Sequence, residues 1–367
     1  MITLSRRRTL FILAMAIASV ATAPAAIARP RRGAKPHAAP GYAGRRDVRR
    51  FIDELVRDDG FSRASLGRWL GDARYQAKIV EAMQRPLLAP PKWYEYAPRF
   101  VNEERIGAGV EFWRAHEQAL DRAEVEFGVP PEIVVAIIGV ETFYGRNTGS
   151  YRVIDALATL AFDYPRRAAY FRNELREFLL YARDEKLSPL VPRGSFAGAM
   201  GLPQFMPGSL RRYGVDFDGD GRIDLWDSSD DVIGSVANYF ARHDWARGQP
   251  IWAKATVEPS QRDAALARLD GGISERRPLA AWSADGVAPE GGPDPTLQDP
   301  VGLLLLEEQP DPPDGEPADP SKPATSLWIA YPNFYVITRY NKSRLYAAAV
   351  TRLAEELRAA HDANPAP

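Results

Sequence analysis

Residues 133–140 read Ile-Val-Val-Ala-Ile-Ile-Gly-Val, with no polar position on any face. The stretch opens on Pro130-Pro131-Glu132, where proline presets the helical φ and the helix dipole favours a carboxylate, so a helix starts here. Gly145 is its expected C-terminal cap. A helix that is apolar all round is stable only when other elements enclose it. The chain must therefore build a shell around this helix, and Gly139 allows one neighbour a close approach.

The 367 residues, 45% of them hydrophobic, are enough to form such a core. Helical periodicity runs through Phe51-Ile52 and Leu55-Val56, then Phe112-Trp113 with Leu120 and Phe127, then Tyr170-Phe171, Leu175 and Phe178-Leu179-Leu180. The fold class is mainly α (α+β), with a helical domain over residues 51–250. Between Trp252 and Ala324 the periodicity fades into short apolar runs such as Val301 to Leu306, bounded by Pro, Gly and Asp, so residues 251–325 read as a small β-containing insertion. Within it, Glu307 to Ser321 is dense in acids and prolines and has no base, the composition of a solvated loop. Thr325 to Tyr335 is richer in β-branched and aromatic residues, and Leu345 to Leu357 is an amphipathic helix. Residues 326–367 are thus expected to return to the first domain.

At the other end, Arg6-Arg7-Arg8, the apolar run Leu10 to Ala21 and Ala26-Ile27-Ala28 form an export signal with a small-x-small cleavage site over residues 1–28. The run is short for a transmembrane helix and is followed by Pro24, although a retained anchor is the alternative. Arg7-Arg8 also fits a twin-arginine signal beside the general secretory route. The expected location is the periplasm. Arg29 to Arg50, basic and without apolar periodicity, reads as a flexible tether, either a solvated leader or a contact for an anionic surface. The absence of cysteine excludes disulfides, thiolate metal sites, thiol nucleophiles and a lipidated cysteine anchor. With 47 basic and 48 acidic residues, nucleic acid is not an expected partner.

Three constellations carry chemistry. Glu141 arrives at the end of the buried helix, where partial desolvation raises a carboxyl pKa towards that of a general acid. A carboxylate merely solvated at a helix end is the plainer reading. The run Gly194-Ser195-Phe196-Ala197-Gly198-Ala199-Met200-Gly201-Leu202-Pro203-Gln204-Phe205-Met206-Pro207 is too glycine-rich for a helix and suits a wall against a polar ligand. In that wall the Gln204 amide offers polar groups, and Phe196, Phe205 and Met206 offer apolar faces; an ordinary structural loop is the alternative. Asp216 to Asp227 has the spacing of an EF-hand calcium loop: acids Asp216, Asp218, Asp220 and Asp224, Gly221 at the turn, the Arg222 carbonyl, and a carboxylate at position twelve, Asp227. Four carboxylates this close repel one another without a cation, although an acidic Asp-Gly turn without metal has the same sequence.

Gly139-Val140-Glu141-Thr142, the Ser195 to Pro207 run, Asp220-Gly221 through Trp226-Asp227, Gly234 to Phe240 and Pro332 to Asn341 together resemble the membrane-bound lytic murein transglycosylase B family. The resemblance covers roughly residues 50–250 and 326–358. It implies a lysozyme-like helical domain that cleaves the β-1,4 bond between N-acetylmuramic acid and N-acetylglucosamine in peptidoglycan and leaves a 1,6-anhydromuramoyl end. Glu141 would act as acid and then base, with no catalytic cofactor. Ser195, Gln204, Tyr96, Tyr239, Tyr340 and Asn341 would line the cleft, each tyrosine being equally at home as a core aromatic with a satisfied hydroxyl. The resemblance also implies a longer calcium loop closing on Asp230. This chain departs from the family at Leu202-Pro203, where Pro203 has no backbone donor. The expected protein is a monomer acting on glycan strands, with other cell-wall enzymes as candidate partners. Two rivals stay open: a hydrolytic muramidase using Asp155 or Asp163 to activate water, and a non-catalytic calcium-stabilised binder of peptidoglycan.

Overall fold

In the computed structural model, which describes residues 41–85, 89–292, 297–308 and 324–363, the apolar stretch is the helix Pro131–Thr142. Every residue from Ile133 to Val140 is buried. The enclosing helices are Glu103–Ala115, Glu117–Phe127, Ser229–Ala241 and Arg344–Ala363. The closest approach is made by a side chain: the Tyr144 hydroxyl fills the space where a Cβ at Gly109 or Gly139 would sit. The two glycines thus admit Tyr144 as a wedge between their helices.

That wedge explains how the central helix ends. It stops at Thr142 rather than running to a glycine cap at Gly145, and Phe143 (φ 52°) and Tyr144 (φ 56°) both take the left-handed conformation. Each such residue costs about 1–2 kcal/mol. The turn is held by Phe143 N–H donating to Gly139 O, by the Tyr144 wedge, and by Arg105 and Arg146 stacked at 4.7 and 4.4 Å from the Phe143 ring. Tertiary contacts therefore override the local preference for glycine.

A second layer pairs Val153–Asp163 with Ala168–Asp184, and Arg46–Asp59, Arg63–Asp72 and Ala77–Gln84 precede it in the chain. Residues 42–50, assigned by composition to the tether, are folded: a 3-10 turn, Tyr42–Gly44, leads into the helix from Arg46. Buried Tyr42 donates to Asp163 at 2.7 Å, and Arg45 pairs with the same carboxylate at 2.6 Å. The export signal, residues 29–40 of the tether and residues 309–321 of the acidic stretch lie outside the described residues.

The insertion contributes to a six-stranded antiparallel sheet in the order Leu269–Asp270, Ile273–Ser274, Gly302–Glu308, Ala324–Ala330, Trp252–Val257, Val287–Pro289. Leu304, Leu306 and Ala330 face the main helical core, while Leu303, Leu327 and Ile329 face a smaller core around Trp282. Because both faces are covered, Val301 to Leu306 reads as one apolar run instead of alternating. The strand Ala324–Ala330 runs across residue 325, so the sheet joins the insertion to the returning segment. Glu307 and Glu308 belong to a strand rather than to the acidic loop, and Arg344 of the C-terminal helix pairs with Glu307 at 3.0 Å.

Candidate active site

Glu141 sits one residue before the end of the central helix, partly buried. Tyr346, in the first turn of the helix Arg344–Ala363, donates its hydroxyl to Glu141 Oε1 at 2.6 Å. The Tyr340 ring lies nearly parallel to that of Tyr346, at 6.4 Å and 12°. Burial pushes the Glu141 carboxyl up to about 7, and the Tyr346 hydrogen bond opposes that rise. These two influences account for the shift, with no contribution from a second carboxylate among the described residues. In return, burial and the Glu141 charge push Tyr346 and Tyr340 well above the usual phenol range and Tyr96 to about 12, so all three stay protonated.

The glycine-rich run folds into a tight loop through bridges from Met200 to Gly194 and to Phe205. Ser195 Oγ accepts the N–H groups of Ala197 and Ala199, which leaves its proton for another acceptor. Gln204, left-handed at φ 52°, donates its amide to Thr148 O and Gly201 O at 3.0 Å each, so its carbonyl is the group left for a ligand. The missing N–H of Pro203 is no loss here, because the wall is held through acceptors: Leu202 O receives Thr142 Oγ1 at 2.8 Å, and Pro203 O receives the Tyr340 hydroxyl at 2.6 Å.

The other expected cleft residues divide. Tyr96 ends the short helix Trp93–Tyr96 and packs on Phe100 at 5.0 Å. Asn341 is the C-cap of the helix Pro332–Tyr340. Tyr239 is buried, with its hydroxyl on Arg339 O at 2.7 Å and its ring 4.9 Å from Tyr340, which it supports from behind. Asp155 is clasped by Arg152 and accepts Arg74 N–H, and Asp163 is held by Arg45 and Tyr42. Sequence reasoning missed Tyr346 and Thr142. The signal for Tyr346 was a hydroxyl placed before the small residues Ala347 to Ala349 in a helix that packs inward, where a buried O–H needs a partner.

In the acidic loop, carboxylate oxygens of Asp216, Asp218 and Asp231 lie within 4.8 Å of one another. Asp216 accepts the N–H groups of Gly219 and Gly221 at 2.8 Å each, and Asp220 accepts that of Arg222 at 2.8 Å. The carboxylate grouped with Asp216 and Asp218 is thus Asp231, rather than Asp227 or Asp230. Asp230 instead meets Arg122 at 3.2 Å, and Asp227 lends its N–H to Asp224 Oδ1. Asp231 was hidden because Ser228 to Asp231 reads as the cap of the helix Ser229–Ala241, and Ser228 Oγ does accept the Asp231 N–H. Burial holds its carboxyl above the usual range while the Phe217 and Asp224 N–H groups oppose this.

A single carboxyl group protonated near neutrality, with tyrosines around it and no partner acid acting on it, can give one proton and take one back. Residues 43–355 match the Transglycosylase SLT domain family (SLT_2), and the chain belongs to it. Membrane-bound lytic murein transglycosylase B of Escherichia coli (strain K12) is 41% identical over 329 residues, 86% of this chain and 83% of that protein. Soluble lytic transglycosylase SltB1 from Pseudomonas aeruginosa superposes with a TM-score of 0.77 at 45% identity, covering 86% of this chain and 99% of that one. The Escherichia coli lytic transglycosylase Slt35 in complex with calcium gives 0.74 at 41% identity over 86% and 94%. This chain is a lytic transglycosylase of the same type, mostly helical with a small sheet as they are.

Proposed function

We propose that the enzyme cleaves the β-1,4 bond between N-acetylmuramic acid and N-acetylglucosamine in peptidoglycan and closes the muramoyl residue into its 1,6-anhydro form, with Glu141 as the one acid and base. The observation that carries this reading is the isolated, partly buried Glu141 carboxyl with its pKa near 7. In the first step the Glu141 proton passes to the glycosidic oxygen as the bond from C1 breaks. In the second, the carboxylate removes the proton of the sugar's own C6 hydroxyl as O6 bonds to C1. Atoms balance without water, and the residue ends protonated as it began. The Tyr346 hydroxyl steadies the carboxylate between the steps. The ion pairs that engage Asp155 and Asp163 disfavour either as a second carboxylate that activates water. Ser195, the Gln204 carbonyl, Tyr96 and Asn341 are the groups we assign to the sugar.

The loop is our candidate for a structural calcium site. Asp216, Asp218 and Asp231 bring hard oxygen donors together, with Asp220 and the Arg222 carbonyl adjacent, a donor set that suits this ion. Bound there, calcium would neutralise the cluster. No helix among the described residues is long and apolar enough to cross a membrane. The leader in residues 1–28 supports export to the periplasm, where peptidoglycan lies. Residues 42–250 with 326–363 form the catalytic unit in this reading, and residues 251–325 are its insertion.

The test is Glu141→Gln. Sugar binding should persist while turnover falls by at least the ~10²–10⁴ that general acid–base help supplies. Near-normal turnover would remove Glu141 from the mechanism.

A further inference from the structure

We infer that Thr142 is a positioning residue, whose hydroxyl holds the Glu141 end of the central helix against the glycine-rich wall and, through Leu202, against the acidic loop. The inference rests on Glu141 being the catalytic carboxyl.

Thr142 is 1% exposed, so it cannot touch a sugar. Its Oγ1 donates to Leu202 O at 2.8 Å, with a weaker approach to Ile138 O at 3.3 Å, and it accepts Gly145 N–H at 3.1 Å. One hydroxyl thus closes the turn after the helix and joins it to the wall. Leu202 is held from its other side, because its N–H donates to Leu225 O at 2.8 Å. Gly201, at φ 67°, allows this approach: a Cβ there would strike Leu225 O. Leu225 follows Asp224, whose N–H donates to Asp231 Oδ2 at 2.7 Å. The chain of contacts runs Asp231, Asp224-Leu225, Leu202, Thr142, Glu141. The next carbonyl in the wall, Pro203 O, fixes Tyr340, which stacks on the Tyr346 that donates to Glu141. Leu202 and Pro203 therefore address the acid from two sides, and the rigid φ of proline keeps the two carbonyls in one arrangement.

An acid about 1 Å from its productive position loses up to ~10²-fold in rate while ground-state binding by the rest of the cleft is unchanged. The effect belongs in kcat rather than KM. Thr142→Val keeps the shape and removes the hydrogen bonds, Thr142→Ser keeps the hydroxyl, and Thr142→Ala removes both hydroxyl and methyl. With purified glycan strands as substrate, Val and Ala should lower kcat about 10-fold or more with KM within about two-fold, and Ser should stay within about three-fold of wild type. Should Val fail to fold, the Ser and Ala pair carries the comparison. Equal kcat for Ser and Ala, or a loss confined to KM, overturns the inference. Glu141→Gln is run alongside: its inactivity with a fully active Thr142→Val refutes only the positioning role, whereas an active Glu141→Gln refutes the assignment of Glu141 itself.

Discussion

Holding a carboxylic acid in an apolar setting destabilises its charged form, so Glu141 should make the folded enzyme less stable as pH rises. Its carboxyl has a pKa of about 7 in the fold against an ordinary value of 4.5. Between those values the unfolded chain has released the proton and the folded chain has kept it, so stability falls with pH across that window and is level above it. A shift of this size corresponds to about 3 kcal/mol as an upper limit. Glu141→Gln removes the titration while its amide oxygen can still accept from Tyr346. The variant should match wild type at pH 4.5 and be more stable at pH 8 by about 2–3 kcal/mol, or about 5 °C in Tm for a domain of this size. Thermal unfolding followed by circular dichroism at pH 4.5, 6 and 8 reads this directly. A Tm difference that is the same at all three values, or that favours wild type at pH 8, would refute the claim that burial governs this carboxyl.

Tyr346→Phe removes the one hydrogen bond that lowers the Glu141 pKa, so the alkaline limb of kcat/KM should move to higher pH while the maximal rate drops about 10-fold or more; a limb that stays put contradicts the contact. Chelation should lower the Tm of the wild type by a few degrees, as expected for an ion present at ~100 times its Kd, and should leave Asp216→Ala and Asp231→Asn unmoved. Equal response of wild type and variants to chelator would place the calcium elsewhere.

Much of this was legible in the sequence, and what was not has one recurring cause. Ile133 to Val140 announced its burial because no face is polar, and Glu141 was visible as the first polar residue after that run. The need for glycine in the run from Gly194 to Pro207 was legible as well, since Gly198 and Gly201 take the left-handed conformations that glycine accepts. The failures are long-range, with Asp231 as the local exception. Tyr42 and Arg45 looked like a basic leader until Asp163, more than a hundred residues away, paired with them. Gly145 looked like the helix cap until Tyr144 found its slot between Gly109 and Gly139. Tyr346 follows Glu141 by 205 residues, and the hydroxyl before Ala347 to Ala349 signals a buried partner without saying which one. Asp231 was hidden behind its role as a helix cap.

In the proposed reaction one carboxyl, with no activated water, does both proton transfers. Purified peptidoglycan sacculi digested in water enriched in oxygen-18 and resolved by mass spectrometry test it most directly. The released muropeptides should end in 1,6-anhydromuramic acid and carry no heavy oxygen at that end. Reducing muramic acid ends carrying oxygen-18 would contradict it, because they require a water molecule that a lone Glu141 acting on the sugar's own hydroxyl never uses.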